Sequence, residues 1–320
     1  MCGHKTEGKC SLVISQIRLI SDVLAHASFT RHLTHHGGIE LTNLLTIKTQ
    51  RLVLAIVLSA AAAIPAACQT STKPQALSAG DLIKAVVANE LAEREQPKRW
   101  EYEVEKIENQ QILTGEQIET KDGPLFRLTA IDHKPLSDAQ RQQENARINA
   151  LLLDPGAQST VKKQYDADEQ QLEKLMLLMP DAFLYDYDGV DGNLVRIKFR
   201  PNPDYNPPSY EARALHAMAG TILIDGKQKR VARVSGELID RVSFGFGFFG
   251  HIDKGGTVEM AREQVGPSHW KTSLINIKMS GRIVFFKTID KEKHEIRSQF
   301  REVSENLTLA QANLLLRNNL

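Results

Sequence analysis

Leu172-Glu173-Lys174-Leu175-Met176-Leu177-Leu178-Met179, closed by Pro180, is the stretch on which the fold turns. A polar helix enters it from about Thr160, and its last turn and a half is apolar on nearly every side. A helix resting on a flat surface needs a single apolar stripe, so this end has to be covered from several directions. Upstream, Ser137 caps a first polar helix that reaches Leu153, where Asp154-Pro155-Gly156 interrupts the chain. Residues 137–180 therefore read as a helical insertion.

Strand periodicity lies on both sides of it. Ser78 or Asp81 caps an opening helix in which Leu82, Ile83, Val86, Val87 and Leu91 recur at helical spacing until Pro97. Next comes strict alternation, with Trp100, Tyr102 and Val104 on one face and Glu101, Glu103 and Glu105 on the other. Asn109-Gln110 and Asp122-Gly123 mark turns around two further strands. After the insertion, strands are expected at 182–188, 193–200, 219–225, 229–242, 243–252, 257–265, 269–279, 281–289 and 294–303. Asp191-Gly192, Asp225-Gly226, Gly255-Gly256 and Asp290-Lys291-Glu292-Lys293 supply the turns, Pro201 to Pro208 a loop, and a short helix follows Thr308. The expected fold is α+β: a strongly curved antiparallel sheet wrapping around the helical insertion so that its concave face removes water from several sides of residues 172–179.

Residues 52–67 form an uncharged Leu/Val/Ala-rich run after Lys48 and Arg51, ending in small residues at Pro65-Ala66-Ala67-Cys68. Sixteen residues suit the apolar core of an export signal better than the ~20 needed to span a bilayer. Residues 48–68 are read as that signal, 1–47 as an over-extended or disordered segment, 69–77 as a tether and 78–320 as a single domain. The His-rich opening (His26, His32, His35, His36) has no carboxylate or thiol at ligand spacing, so metal binding there is unsupported. Of the three cysteines only Cys68 could survive cleavage, which excludes a disulfide or a Cys nucleophile in the body of the mature domain. Ala66-Ala67-Cys68 matches a lipobox and Pro65 departs from it, so Cys68 is a candidate for lipid attachment, with ordinary cleavage as the alternative. The expected location is the periplasm or outer membrane of a bacterium.

The whole chain carries +1; six Lys/Arg and three Asp/Glu precede residue 69, leaving 34 against 36 beyond it. Such a balance gives nucleic acid no footing. Gly245-Phe246-Gly247-Phe248-Phe249-Gly250 spells a dinucleotide fingerprint, but Asp253-Lys254-Gly255-Gly256 is a turn where a helix N-terminus is required. A bend in a sheet explains those glycines, with Phe244, Phe246 and Phe248 sharing a face. Asp186 to Gly192 lacks the acidic residues an EF-hand loop needs, since Val190 and Ile197 stand in their places. Arg196, Lys198 and Arg200 make a basic stripe, read as a solvated face. Asp132-His133 and His251 near Asp253 could act as acid–base pairs, although such juxtapositions are common on surfaces. No H-E-x-x-H or G-x-S-x-G occurs, and neither a metal nor a cofactor is expected.

In its order of elements, together with Trp100-Glu101-Tyr102 and the Gly-rich 243–256 hairpin, the chain resembles the bacterial periplasmic lipoprotein carriers LolA and LolB and their lipoprotein-sorting superfamily. The resemblance is one of layout; none of the carriers' functional residues maps onto this sequence. It implies an incomplete barrel whose helical lid holds acyl chains, hence binding of lipid or a lipoprotein acyl chain without catalysis. Leu172, Leu175, Met176, Met179, Phe244, Phe246 and Phe248 are the expected apolar lining. The alternatives are a structural or protein-interaction module of the cell envelope and, behind it, an enzyme with a scattered site.

Overall fold

The computed structural model describes residues 77–96, 98–108, 110–244, 250–283 and 287–318. The export run, Cys68, the segments on either side of it and the expected lining residues Phe246 and Phe248 lie outside the described residues. Within them stand five helices: α1 (Ala79–Arg94), α2 (Asp138–Leu153), α3 (Pro155–Ala182), α4 (Tyr210–His216) and α5 (Leu309–Asn318). None is long and apolar enough to cross a membrane.

Thirteen strands form one antiparallel, unclosed sheet. They are β1 (Arg99–Glu108), β2 (Gln111–Thr120), β3 (Gly123–Ile131), β4 (Lys134–Pro135), β5 (Phe183–Asp191), β6 (Leu194–Pro201), β7 (Met218–Asp225), β8 (Arg230–Leu238), β9 (Val242–Phe244), β10 (Gly250–Ile252), β11 (Thr257–Gln264), β12 (Trp270–Ile283) and β13 (Lys287–Val303). The spatial order is β4-β3-β2-β1-β13-β12-β11-β8-β7-β6-β5, with the β9–β10 pair attached through β10 to the far end of β12. The last strand, β13, thus zips the early strands to the late ones, pairing Val104 with Arg297 and Leu274 with Ile296.

Cross-strand partners share a face. The row Ile197, Ile222, Val234, Met260 and Ile275 is apolar across five strands and meets Glu295 on the sixth. Ile83, Val86 and Val87 of α1 pack on the apolar part of that face with Phe183, Phe199 and Phe244, each full burial contributing about 1.5–3 kcal/mol. On the other side of β2 and β3, Ile118 and Leu125 are buried under Ile148 of α2 and Leu309, Ala312 and Leu316 of α5. Neighbouring strands come very close at Gly220, where a Cβ would meet the Ser235 carbonyl oxygen at 2.0 Å, so only glycine fits opposite Gly236.

Caps agree with the sequence. Ser78 Oγ accepts the Asp81 N–H at 3.1 Å, and Ser137 forms a capping box with Gln140. Asp154 accepts the Gly156 and Ala157 N–H groups at 2.8 and 3.1 Å. With Pro155 at its first position, α3 starts at once and not at Thr160, because proline suits the first helical turn. Pro180 lies inside α3, which runs on to Ala182.

Two expectations need correcting, and one helix adds to them. Asp290-Lys291-Glu292-Lys293 is not a turn but lies within β13, where Lys278 and Glu292 pair across strands at 2.9 Å; dense charge there marks a solvated face of a long hairpin. The strand expected over 229–242 ends at Leu238, and β9 is a separate three-residue strand. Helix α4 was hidden behind the prolines that precede it; Ser209 Oγ caps it by accepting the Ala212 N–H at 3.1 Å.

Candidate functional site

A cavity of about 160 Å3 lies between α1, the C-terminal turns of α3, α4 and the apolar face of the sheet, and its exposed lining is almost entirely carbon. Leu172, Met176 and Met179 line it, beside Phe183, Phe199, Leu215, Met218 and Ile222. Leu175 faces a second, far smaller cavity of about 10 Å3. Phe244 is buried outside both, edge-on to Tyr210 at 5.5 Å between centroids. Cover over residues 172–179 is incomplete: Leu172 and Leu175 are buried, but Leu177 is 54% exposed.

One end of the cavity is charged. Ile83, Val86, Glu90 and Glu93 fall on one stripe of α1, so the helix carries two carboxylates along its buried side. Arg230 of β8 donates to Glu90 through Nε at 3.1 Å and Nη2 at 2.8 Å. Arg262 of β11 adds Nη1 at 2.5 Å, and the Val231 N–H a fourth bond at 3.0 Å. Glu93 touches Arg230, takes Arg262 Nη2 at 3.3 Å and accepts the Trp270 N–H at 2.8 Å. Burial would raise the Glu90 carboxyl, but Arg262 and Arg230 hold it at about 2. Such a quartet fixes α1 against the sheet: removing one member would leave an uncompensated buried charge.

Beside it, Lys271 of β12 donates to both oxygens of Glu119 on β2 at 3.0 and 3.1 Å, and the Trp100 N–H reaches the same carboxylate at 3.2 Å. Burial pushes Glu119 up and Lys271 down from their ordinary values, each opposed by the other. Glu169 of α3 contacts Arg94 of α1, and burial raises its carboxyl to about 8 against the pull of Arg94. Both tryptophans of the chain stand in the cavity wall. Trp270 donates its indole N–H to Gln228 at 2.9 Å, whereas the buried Nε1 of Trp100 has no partner among the described residues. His269, held below the usual imidazole range by burial, lies 6.0 Å from the Trp100 ring and 3.5 Å from Glu93.

The remaining sequence candidates sit elsewhere. Asp186 and Asp188 face the basic stripe, with Lys198 2.6 Å from Asp188 and Arg200 3.9 Å from Asp186, so these charges answer each other across β5 and β6. His251 lies 3.2 Å from Asp253, away from the cavity. Asp132 accepts the Ile112 N–H at 2.9 Å in a left-handed turn with His133. Among the described residues no group of three or more His, Cys, Asp and Glu side chains could hold a metal ion.

Sequence reading missed Glu90, Glu93, Arg230, Arg262, Glu119, Lys271 and Trp270 as site residues. The available signal was Glu90 and Glu93 on the apolar stripe of α1, which demands cations from elsewhere in the chain. The chain matches no family model, no curated protein and no solved structure.

Proposed function

We propose that this protein binds an apolar ligand, a lipid or a lipoprotein acyl chain, in the cavity between α1, α3 and the sheet, and that it does so without catalysis. In this reading the open sheet works as an incomplete barrel curved around the helices, residues 172–179 form its lid, and the chain is exported to the cell envelope, as in the lipoprotein carriers it resembles. The carrying observation is the cavity itself, walled by flexible Met176, Met179 and Met218 with Leu172, Phe183 and Phe199. Methionines adapt to irregular apolar shapes, and an apolar cavity of roughly 150 Å3 holds a benzene-sized molecule. Such a volume takes a short stretch of acyl chain as it stands; a longer chain needs the lid to move.

Toluene, neutral and without a hydrogen-bonding group, tests the site. Saturable binding to delipidated protein with a rise in melting temperature is expected, lost in Val234→Phe, which adds a ring to the cavity wall. No saturable binding in the wild type would end the reading. The modest cavity volume favours a second reading, an envelope module that uses this face only for its own packing; the same null result would support it.

A further inference from the structure

Leu215 and Met218 stand in the walls of both cavities, so these two side chains separate the space of about 160 Å3 from the one of about 10 Å3. Beyond them the smaller cavity is closed by Leu175, Glu211, Ala214, Leu238, Ile252 and Met279. The two partition residues differ in kind. Leu215 is branched and rides on α4, whereas Met218 opens β7 with an unbranched side chain of three rotatable bonds. Its methyl end lies against bare backbone: a Cβ built on Gly236 would stand 2.7 Å from Met218 Cε. Glycine at 236 therefore makes the berth in which the thioether lies. Packing holds it there, since a thioether sulfur is only a weak hydrogen-bond acceptor.

Resting on the apolar-site reading above, we infer that Met218 is a movable partition and that the ligand is an unbranched alkyl chain whose far end displaces the thioether and enters the second cavity. The opening left by one unbranched side chain has the width of one methylene chain, so a linear chain passes and a ring does not. Each methylene that passes is worth about fourfold in affinity, the equivalent of about 0.8 kcal/mol. The gain is a few methylenes; anything longer still needs the lid. Arg94, Lys98, Arg262 and Lys271 in the wall of the larger cavity each have a carboxylate partner, so neutral alcohols are the suitable probes.

The full chain, 13C-labelled at its methionine methyls, reports on both spaces at once, because Met176 and Met179 line the larger cavity and Met279 the smaller. Butanol and toluene are expected to give intermolecular Overhauser contacts to Met176 or Met179 and none to Met279. Octanol is expected to reach Met279 and to shift the Met218 methyl resonance. In Met218→Ala the octanol-to-butanol affinity ratio should rise about fifteenfold, the worth of two further buried methylenes. Octanol that binds without touching Met279, toluene that touches it, or an unchanged ratio in Met218→Ala would each overturn the partition and leave the larger cavity standing as the site. Should Met218→Ala not fold, the wild-type contacts decide by themselves. Failure of octanol, butanol and toluene alike to bind would remove the inference together with the reading beneath it.

Discussion

Glu90 and Glu169 stand on neighbouring helices, both shut away from water, and they hold their protons at opposite ends of the scale, at about 2 and about 8. Their burial is similar, with side chains 9% and 2% exposed; their company differs. Glu90 receives four donors, three from two guanidinium groups and one from the backbone. Glu169 has Arg94 on one oxygen and, among the described residues, no partner on the other, and the nearby charge of Glu119 pushes the same way as burial. A buried carboxylate is therefore a structural rivet or a stored proton depending on how many donors surround it.

The two regions predict opposite pH limbs. For Glu90 the folded value lies below the ordinary 4.5. Its contribution is present above that value and is lost as pH falls through about 2. For Glu169 the folded value lies above 4.5, so the folded state binds the extra proton and stability declines as pH rises from 4.5 through about 8.

Arg262→Met attacks the contrast most directly, since it strips the cage and makes Glu90 resemble Glu169. A loss of about 3–5 kcal/mol is expected in urea denaturation, with the acid limb displaced to higher pH. An unchanged acid limb would mean that Arg230 alone holds the carboxylate. Glu169→Gln sharpens the other side: the wild-type decline between pH 5 and 8, at most about 1.4 kcal/mol per pH unit, should flatten. A variant with the same slope would assign that limb to another group. Asp166→Ala gives the baseline, because its pair with Lys162 at 3.2 Å is nearly half exposed on both sides. Its effect should stay within ~0.5 kcal/mol, and a larger one would show that ionic pairing alone does not separate the buried sites from the surface.

Local chemistry made much of this architecture legible. The α1 stripe, the Trp100-Tyr102-Val104 alternation, the Ser137 cap, the Asp225-Gly226 turn and the closing helix after Thr308 all carry their signal within a few residues. Leu172, Met176 and Met179 lie on the apolar end of α3 and in the cavity wall. What escaped is non-local. Glu90 finds Arg230 and Arg262 at separations of 140 and 172 residues, and Glu119 finds Lys271 at 152. No spacing rule on one sequence pairs such distant charges, because the sheet order that joins them is itself set by β13 returning to β1. Leu177 fails for the complementary reason: among the described residues its side of α3 has no cover, so an all-round apolar pattern overstated the burial.

The sheet remains open, and an open sheet has two rims of backbone amides and carbonyls able to recruit another chain. The rims at the two ends of the main strand order are defended. At one, β4 is only two residues long and ends in Pro135, which has no N–H to offer. At the other, β5 carries Asp186, Asp188 and Asp191, and its register slips between Tyr187 and Gly189, where glycine adopts a left-handed φ of 118°. Solvated charges and a bent margin leave a second copy no straight template to extend. A thirteen-strand sheet of this kind can stay unclosed without seeding fibre growth from its own borders.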